Sequence, residues 1–468
     1  MTASVPLAER ALQALTAIVG ADRITRDADD LQRLGRDWTR AFAPAPSAVV
    51  FPRSVEQVQA IVRLANAEGF ALVPSGGRTG LSGGAVATNG EVVVAFDYMN
   101  QVLGFNAVDR TVQVQAGVVT EQLQNFAAEN GLYYPVDFAS AGSSQIGGNI
   151  STNAGGIKVI RYGMTRDWVL GLKVVTGSGE ILDLNRGLLK NNAGYDLRQL
   201  FIGAEGTLGF VVEATIQLTR PPVGLTALVL GVPEFAAIME VLHTFQSELD
   251  LTAFEFFSDK ALAKVVAHTG LQKPFETPAS YYALIEFEKL NDEVEAQAMA
   301  LFERCVEQGW VVDGVMSQSL EQLQNLWRLR EDISETLSRW TPYKNDIATI
   351  VSQVPPFIAE VDALVGREYP DFEIIWFGHI GDGNVHLNIL KPEALTVAQF
   401  HERCHRVSKW VFEIVQRYGG SVSAEHGVGL LKKDYLAYGR SAAEIELMRQ
   451  IKRVFDPNGV MNPGKIFD

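Results

Sequence analysis

An apolar strand at residues 71–73 runs without a break into PSGGRTGLSGG (residues 74–84), and this junction constrains the fold more than any other stretch. Five glycines in eleven residues expose backbone N–H groups and admit backbone conformations closed to other residues. Chains do this where they wrap closely around a phosphate group, and Arg78 would add charge there. A flexible surface loop is the alternative reading, disfavoured by the apolar strand that feeds straight into the glycines. Upstream, residues 48–51 read as a strand. Ser54 and Gln57 form a capping box, and Val55, Val58, Val62 and Ala65 place an apolar stripe on a helix. The unit is therefore βαβ-like. It lacks the G-x-G-x-x-G that opens a helix in dinucleotide folds. GVMNPGK (residues 459–465) imitates a P-loop, but Ile466 stands where a Ser or Thr must hold Mg²⁺, so that reading is rejected.

Strands are expected at residues 92–96, 111–115, 169–176 and 181–184, with a helix at 120–130 stopped by Gly131. Residues 135–156 form a second polar, Gly/Ser/Asn-rich stretch suited to lie against a planar polar cofactor. GAEGTLG (residues 203–209) leads into a strand whose Val212, Ala214, Ile216 and Leu218 alternate. Arg220 and two prolines mark the best boundary. Beyond it, strands (225–232, 281–287) alternate with helices (233–250, 292–308), which predicts an α+β domain with an antiparallel sheet. The N-terminal 42 residues read as a helical lead-in with Leu7, Leu12, Leu15 and Ile18 on one face. The expected organisation is a helical segment (1–42), a cofactor domain (43–220), a substrate and metal domain (221–420) and a returning C-terminal segment (421–468).

The second domain contains WFGHIGDGNVHLNIL (residues 376–390), which reads as a β-hairpin with His379 and His386 either side of a Gly-Asp-Gly-Asn turn. His386 and Asn388 share a face. Two imidazoles with a carboxylate, Glu425 of SAEHGVG, would leave coordination positions open, as a catalytic metal requires. Ordinary hairpin histidines are the plainer alternative. His243, His268, His401 and His405 read as helix or surface residues without a role, and Cys404 is expected to face solvent beside them. A formal charge of −15 argues against nucleic acid and anionic membranes as partners. No stretch reads as a membrane span or signal peptide. Two cysteines exclude a disulfide framework and suit a reducing, cytoplasmic setting.

Several separated motifs match one family. PSGGRTGLSGG, PVDFASAGSSQIGGNISTNAGG with IRYG, and GAEGTLG resemble the FAD domain of the vanillyl-alcohol oxidase / p-cresol methylhydroxylase superfamily. HIGDGNVHLN, SAEHGVG and FDPNGVMNPGKIF resemble its D-2-hydroxyacid dehydrogenase branch, and the match spans residues 45–468 in order. WRLRE, YKND and AFEFFSDKAL point within that branch to enzymes acting on D-2-hydroxyglutarate. The resemblance implies an α+β fold: a two-subdomain FAD-binding domain, a substrate domain with an antiparallel sheet, and a C-terminal return segment.

It also implies site residues. Pro74, Ser75, Gly76, Gly77, Arg78, Thr79, Gly80 and Ser82 would line the FAD pyrophosphate. Pro135, Gly142, Ser143, Gly147, Gly148, Asn149, Ser151 and Thr152 would line the flavin and ribityl chain. Glu205, Gly206 and Val211 would approach the adenine side, and Asn462 the isoalloxazine. Many relatives attach flavin through a histidine near the first glycine loop; this loop has none, which implies noncovalent FAD. His379, His386 and Glu425 would bind a divalent metal, zinc foremost, with Asn388 near the substrate. His426 would be the catalytic base and a substrate contact, and Arg330, Ser334 and Lys344 would fix substrate carboxylates; relatives often carry Thr where Ser334 stands. The implied reaction is oxidation of a D-2-hydroxyacid, D-2-hydroxyglutarate first and D-malate next. D-lactate or glycolate dehydrogenase is the alternative, and a non-catalytic flavin- or metal-binding protein the alternative of another class. An electron-transfer flavoprotein is the acceptor the resemblance implies. The oligomeric state stays open, a homodimer being one candidate.

Overall fold

The computed structural model describes residues 7–467, so residues 1–6 of the expected lead-in lie outside the described residues. The chain divides into two units. One comprises Met1–Gly155, Met164–Pro221 and Glu425–Asp468; the other comprises Gly156–Gly163 and Pro222–Ala424.

The first unit holds two sheets. Ala48–Val50, Val92–Ala95 and Leu72–Ser75 pair in parallel in that order, and the two-residue strand Ile24–Thr25 adds antiparallel to Ala48–Val50. The helix Val55–Glu68 connects two of the parallel strands. Its Val55, Val58, Ile61, Val62 and Ala65 are buried against that sheet's core, and a Val or Ile side chain contributes about 1.5–3 kcal/mol when fully buried. Ser54 caps it by accepting from Gln57 N, while Gln57 Oε1 accepts from Arg53 N rather than closing a reciprocal box. In the lead-in helix Glu9–Val19 the buried face is Ala11, Leu15 and Val19, so the expected Leu12 and Ile18 sit at its margin.

The second sheet of this unit is antiparallel, in the order Val102–Asn106, Thr111–Gln115, Gly209–Gln217, Val169–Thr176, Ile181–Leu184. Val102–Asn106 was not expected as a strand; it is an edge strand with every residue exposed, so no alternation marks it. The polar stretch 135–156 contains a short helix, Ile146–Thr152. Helix Ala442–Phe455 precedes the tail, where Met461 forms a parallel bridge with Leu72.

The other unit is built on one antiparallel sheet of seven strands. Their order is Asp313–Met316, Leu225–Val232, Tyr281–Glu288, Leu251–Ser258, Glu373–Gly378, Asn384–Leu390, Tyr343–Ala348. The expected helix at 233–250 is shorter, Ala237–Gln246, because Leu251 already opens a strand. Inside the unit Lys158 forms an ion pair with Glu286, which also accepts from Trp327 Nε1 at 2.7 Å and Thr252 Oγ1 at 2.5 Å. Removing one member of a buried pair of this kind typically costs about 3–5 kcal/mol, which accounts for the segment Gly156–Gly163 being held here rather than with its sequence neighbours. Among the described residues no helix is long and apolar enough to cross a membrane.

Candidate active site

In the first unit the glycine loop leaves the carboxyl end of a parallel strand, where ligands bind in open α/β sheets. Gly77 lies so close to the second polar stretch that a Cβ on it would fall 2.1 Å from Ser143 O. Only glycine fits, and the two stretches read as separate Gly-rich segments in the sequence are neighbours. Gly147 likewise abuts Ala116, and Gly206 abuts Pro74. Asn462 donates from Nδ2 to Gly84 O at 2.8 Å and Glu205 O at 2.7 Å, so the tail ties the glycine loop to GAEGTLG. Two buried acceptors in this unit, Gln145 Oε1 and Asn462 Oδ1, have no hydrogen-bond partner among the described residues. Buried polar atoms without partners are costly, and here they stand ready for the donors of a polar cofactor. The residues fit FAD.

Several side chains expected on the cofactor are occupied otherwise. Arg78 is paired with Asp97 (Nη2–Oδ1 2.8 Å) and donates to Ser75 Oγ, so its charge is neutralised locally. Glu205 is buried, and its carboxylate accepts from the backbone N–H of Val428 (2.7 Å) and Gly429 (2.8 Å). Burial raises its pKa to about 7 against those hydrogen bonds. It clasps the returning segment. Val211 packs in the hydrophobic core. Asn149 donates to Thr120 Oγ1, while the hydroxyls of Ser151 and Thr152 donate to Gly147 O and Gly148 O within their own helix. What remains for a ligand along this stretch is chiefly backbone.

In the second unit the hairpin forms as expected, as Glu373–Gly378 and Asn384–Leu390. Its turn needs Gly383, at φ 84°, where a Cβ would meet Thr349 O at 2.1 Å. Register then defines a functional face. His386 lies opposite both Phe377 and Asp346, Asn388 opposite Lys344, and Phe377 opposite Phe257. Directly paired residues project to the same face, and Glu255, two residues before Phe257, joins them. The His379 and His386 rings stand edge to face, centroids 5.3 Å apart. Asn388 is 1% exposed, and among the described residues neither amide atom has a hydrogen-bond partner.

Sequence reasoning missed Glu255. Its Oε1 lies 2.8 Å from His379 Nδ1, and its Oε2 lies 2.8 Å from Arg330 Nη2 in an ion pair not aligned as a hydrogen bond. Arg330, on helix Leu320–Glu331, also rests over the Phe377 ring. It is thus a buried, paired cation. Lys344 donates to Ser334 Oγ at 2.9 Å. Much of its side chain is solvent-accessible, yet removal of water around the ammonium holds its pKa below the ordinary lysine value. A histidine whose Nδ1 donates to a carboxylate presents Nε2 as a metal ligand. The histidine pair, one ring so oriented, suits a divalent ion such as zinc.

Glu425 and His426 open the segment that returns to the first unit, with His426 Nε2 4.0 Å from Glu425 Oε2. His243, His268, His401 and His405 are exposed as read. Cys404 is fully buried instead, and loss of water pushes its thiol pKa up to about 12; only its neighbours on the helix face solvent.

The architecture matches p-cresol methylhydroxylase, with a TM-score of 0.75 at 15% identity over 100% of this chain and 99% of that one. That likeness establishes the fold. The FAD binding domain family matches residues 46–185, and the C-terminal domain family of FAD linked oxidases matches residues 222–466. Two curated relatives are each called D-2-hydroxyglutarate dehydrogenase. One, from Stutzerimonas stutzeri, is 69% identical over 97% of this chain and 98% of its own; the other, from Xanthomonas citri pathovar viticola, is 57% identical over 97% and 96%. The chain belongs to the FAD-linked oxidases and is an FAD-dependent oxidoreductase.

Proposed function

We propose that this chain oxidises D-2-hydroxyglutarate to 2-oxoglutarate, with D-malate as a second substrate. The carrying observation is the 69% identity, over essentially the whole length of both chains, to a protein of that activity. FAD, when bound, supplies the acceptor for the hydride from the α-carbon, and a divalent cation supplies positive charge beside the hydroxyl. His379, His386 and Glu425, two imidazoles and a carboxylate, would supply a donor set of the kind that holds such an ion. His426 accepts the hydroxyl proton. Asn388, with both amide atoms unpartnered, hydrogen-bonds the substrate.

The two cations have different parts. Arg330 already shares its charge with Glu255, so it orients a carboxylate through geometry more than through net charge. Lys344 has a hydroxyl partner, and among the described residues no acid pairs with it. A cation with only a hydroxyl partner favours a substrate with a second acidic group. Lys344→Met should lower kcat/KM for D-2-hydroxyglutarate by about 10–100-fold, the value of a lost charge-assisted hydrogen bond, and leave D-lactate nearly unchanged. Because the Lys344 pKa is lowered, its charge is lost earlier as pH rises, so KM for the diacid should climb on the alkaline side before it does for D-lactate. Equal losses on both substrates, or a wild-type preference for D-lactate, would sink the diacid reading.

FAD is held noncovalently in this reading, since residues 74–84 contain no histidine. Acid precipitation should leave the flavin in the supernatant; yellow precipitate would mean a covalent link elsewhere. Two buried cysteines cannot bind an iron–sulfur cluster, so electrons leave to an external acceptor. An electron-transfer flavoprotein is the proposed one, and its reduction in the same assay checks it. Cytoplasmic placement belongs to the same proposal and rests on the two unpaired thiols.

A further inference from the structure

Glu255 stands in the middle of the strand Leu251–Ser258, every residue of which is buried. Its neighbours Phe254, Phe256 and Phe257 fill the cores on both faces of the sheet. A carboxylate in such a place costs several kcal/mol in lost hydration unless its partners compensate, and an apolar residue would pack there without that cost. Its partners are not incidental. One oxygen is 2.8 Å from His379 Nδ1 and the other 2.8 Å from Arg330 Nη2. Those two residues come from different elements, the end of strand Glu373–Gly378 and helix Leu320–Glu331. Neither is a sequence neighbour of Glu255. A single side chain therefore sets both an imidazole read as a metal ligand and a guanidinium read as a substrate ligand.

We propose that Glu255 is the positioning residue of the active site, aligning His379 for the metal and Arg330 for the substrate carboxylate with the two oxygens of one carboxylate. Accepting from Nδ1 selects the tautomer in which Nε2 carries the free lone pair, and it fixes the plane of the ring. The ion pair, with the Phe377 ring beneath it, holds the guanidinium in one orientation, so less freedom is lost when a carboxylate docks. The two alignments are linked because they share an anion. This inference rests on the reading of His379 as a metal ligand.

The test compares wild type, Glu255→Ala and Glu255→Gln as FAD-loaded full-length protein. Affinity for Zn²⁺ alone is measured by competition with a chromogenic chelator, and KM for D-2-hydroxyglutarate is measured separately from kcat. FAD content and thermal melting serve as the folding control. Glu255→Ala should bind Zn²⁺ about 10–100-fold more weakly and show a KM raised on the order of 10-fold, with normal FAD content. Glu255→Gln has one acceptor oxygen where the carboxylate has two, so it should lose at least one of the two functions while keeping the packing. If the alanine variant fails to fold, the glutamine variant decides alone. A folded variant that keeps both wild-type Zn²⁺ affinity and wild-type KM overturns the proposal. If wild type itself binds no Zn²⁺, the metal reading has failed instead, and the alignment of Arg330 alone is then judged by KM.

Discussion

Replacing His426 with glutamine is expected to lower kcat on D-2-hydroxyglutarate by roughly 10²–10⁴-fold, the usual contribution of a positioned general base. The substrate hydroxyl is a very weak acid, and its proton must leave for the α-hydride to follow. Glutamine keeps the approximate size and hydrogen bonding of the imidazole but cannot take up a proton near neutrality. The imidazole is 23% exposed, so the change costs little packing, and FAD content should hold. The pH profile separates chemistry from folding. Protonated imidazole cannot act as a base, so wild-type kcat should fall toward acid pH. The glutamine variant should lack that acid limb. A variant with wild-type kcat, or with the same acid limb, would remove His426 from the role.

The second large effect is expected at His386. His386→Ala should cut turnover on the order of 10³-fold, the equivalent of several kcal/mol of lost charge stabilisation beside the hydroxyl. Bound metal should fall with it. The flavin spectrum should survive, because the residues read as FAD contacts belong to the other unit. His386 is a partly exposed strand residue opposite Asp346 and Phe377, so truncation leaves the register of Asn384–Leu390 in place. Chelation of the wild-type enzyme should reproduce the defect, and Zn²⁺ should restore the wild type but not the variant. Full activity in protein shown by elemental analysis to be metal-free would reduce the hairpin histidines to a structural part.

Much of this was legible before the fold was known, for local reasons. The stripe on Val55–Glu68 and the alternation along Gly209–Gln217 are periodicities that a helix and a strand impose on their own residues. The hairpin between His379 and His386 follows from turn chemistry at Gly383 and a strand-like run either side. The glycine loops announce close backbone approach, although only the structure shows that Gly77 is approached by Ser143. Where sequence reasoning fell short, the deciding partner was distant. Arg78 looks like a phosphate ligand until Asp97 is beside it, and Cys404 looks exposed until its helix face is packed.

Glu255 is the sharpest case. In LTAFEFFS nothing local sets this glutamate apart. Its burial depends on strands Tyr281–Glu288 and Glu373–Gly378 flanking it on both sides. Its function depends on a histidine 124 positions away. By itself the sequence determined most of the elements, the glycine-lined loops and the residue types able to do the chemistry, since these follow from local backbone and periodic constraints. Tertiary structure alone decided which charges are paired and which stay open to substrate, because Coulomb energy and desolvation depend on neighbours in space, and those are set by strand order and register.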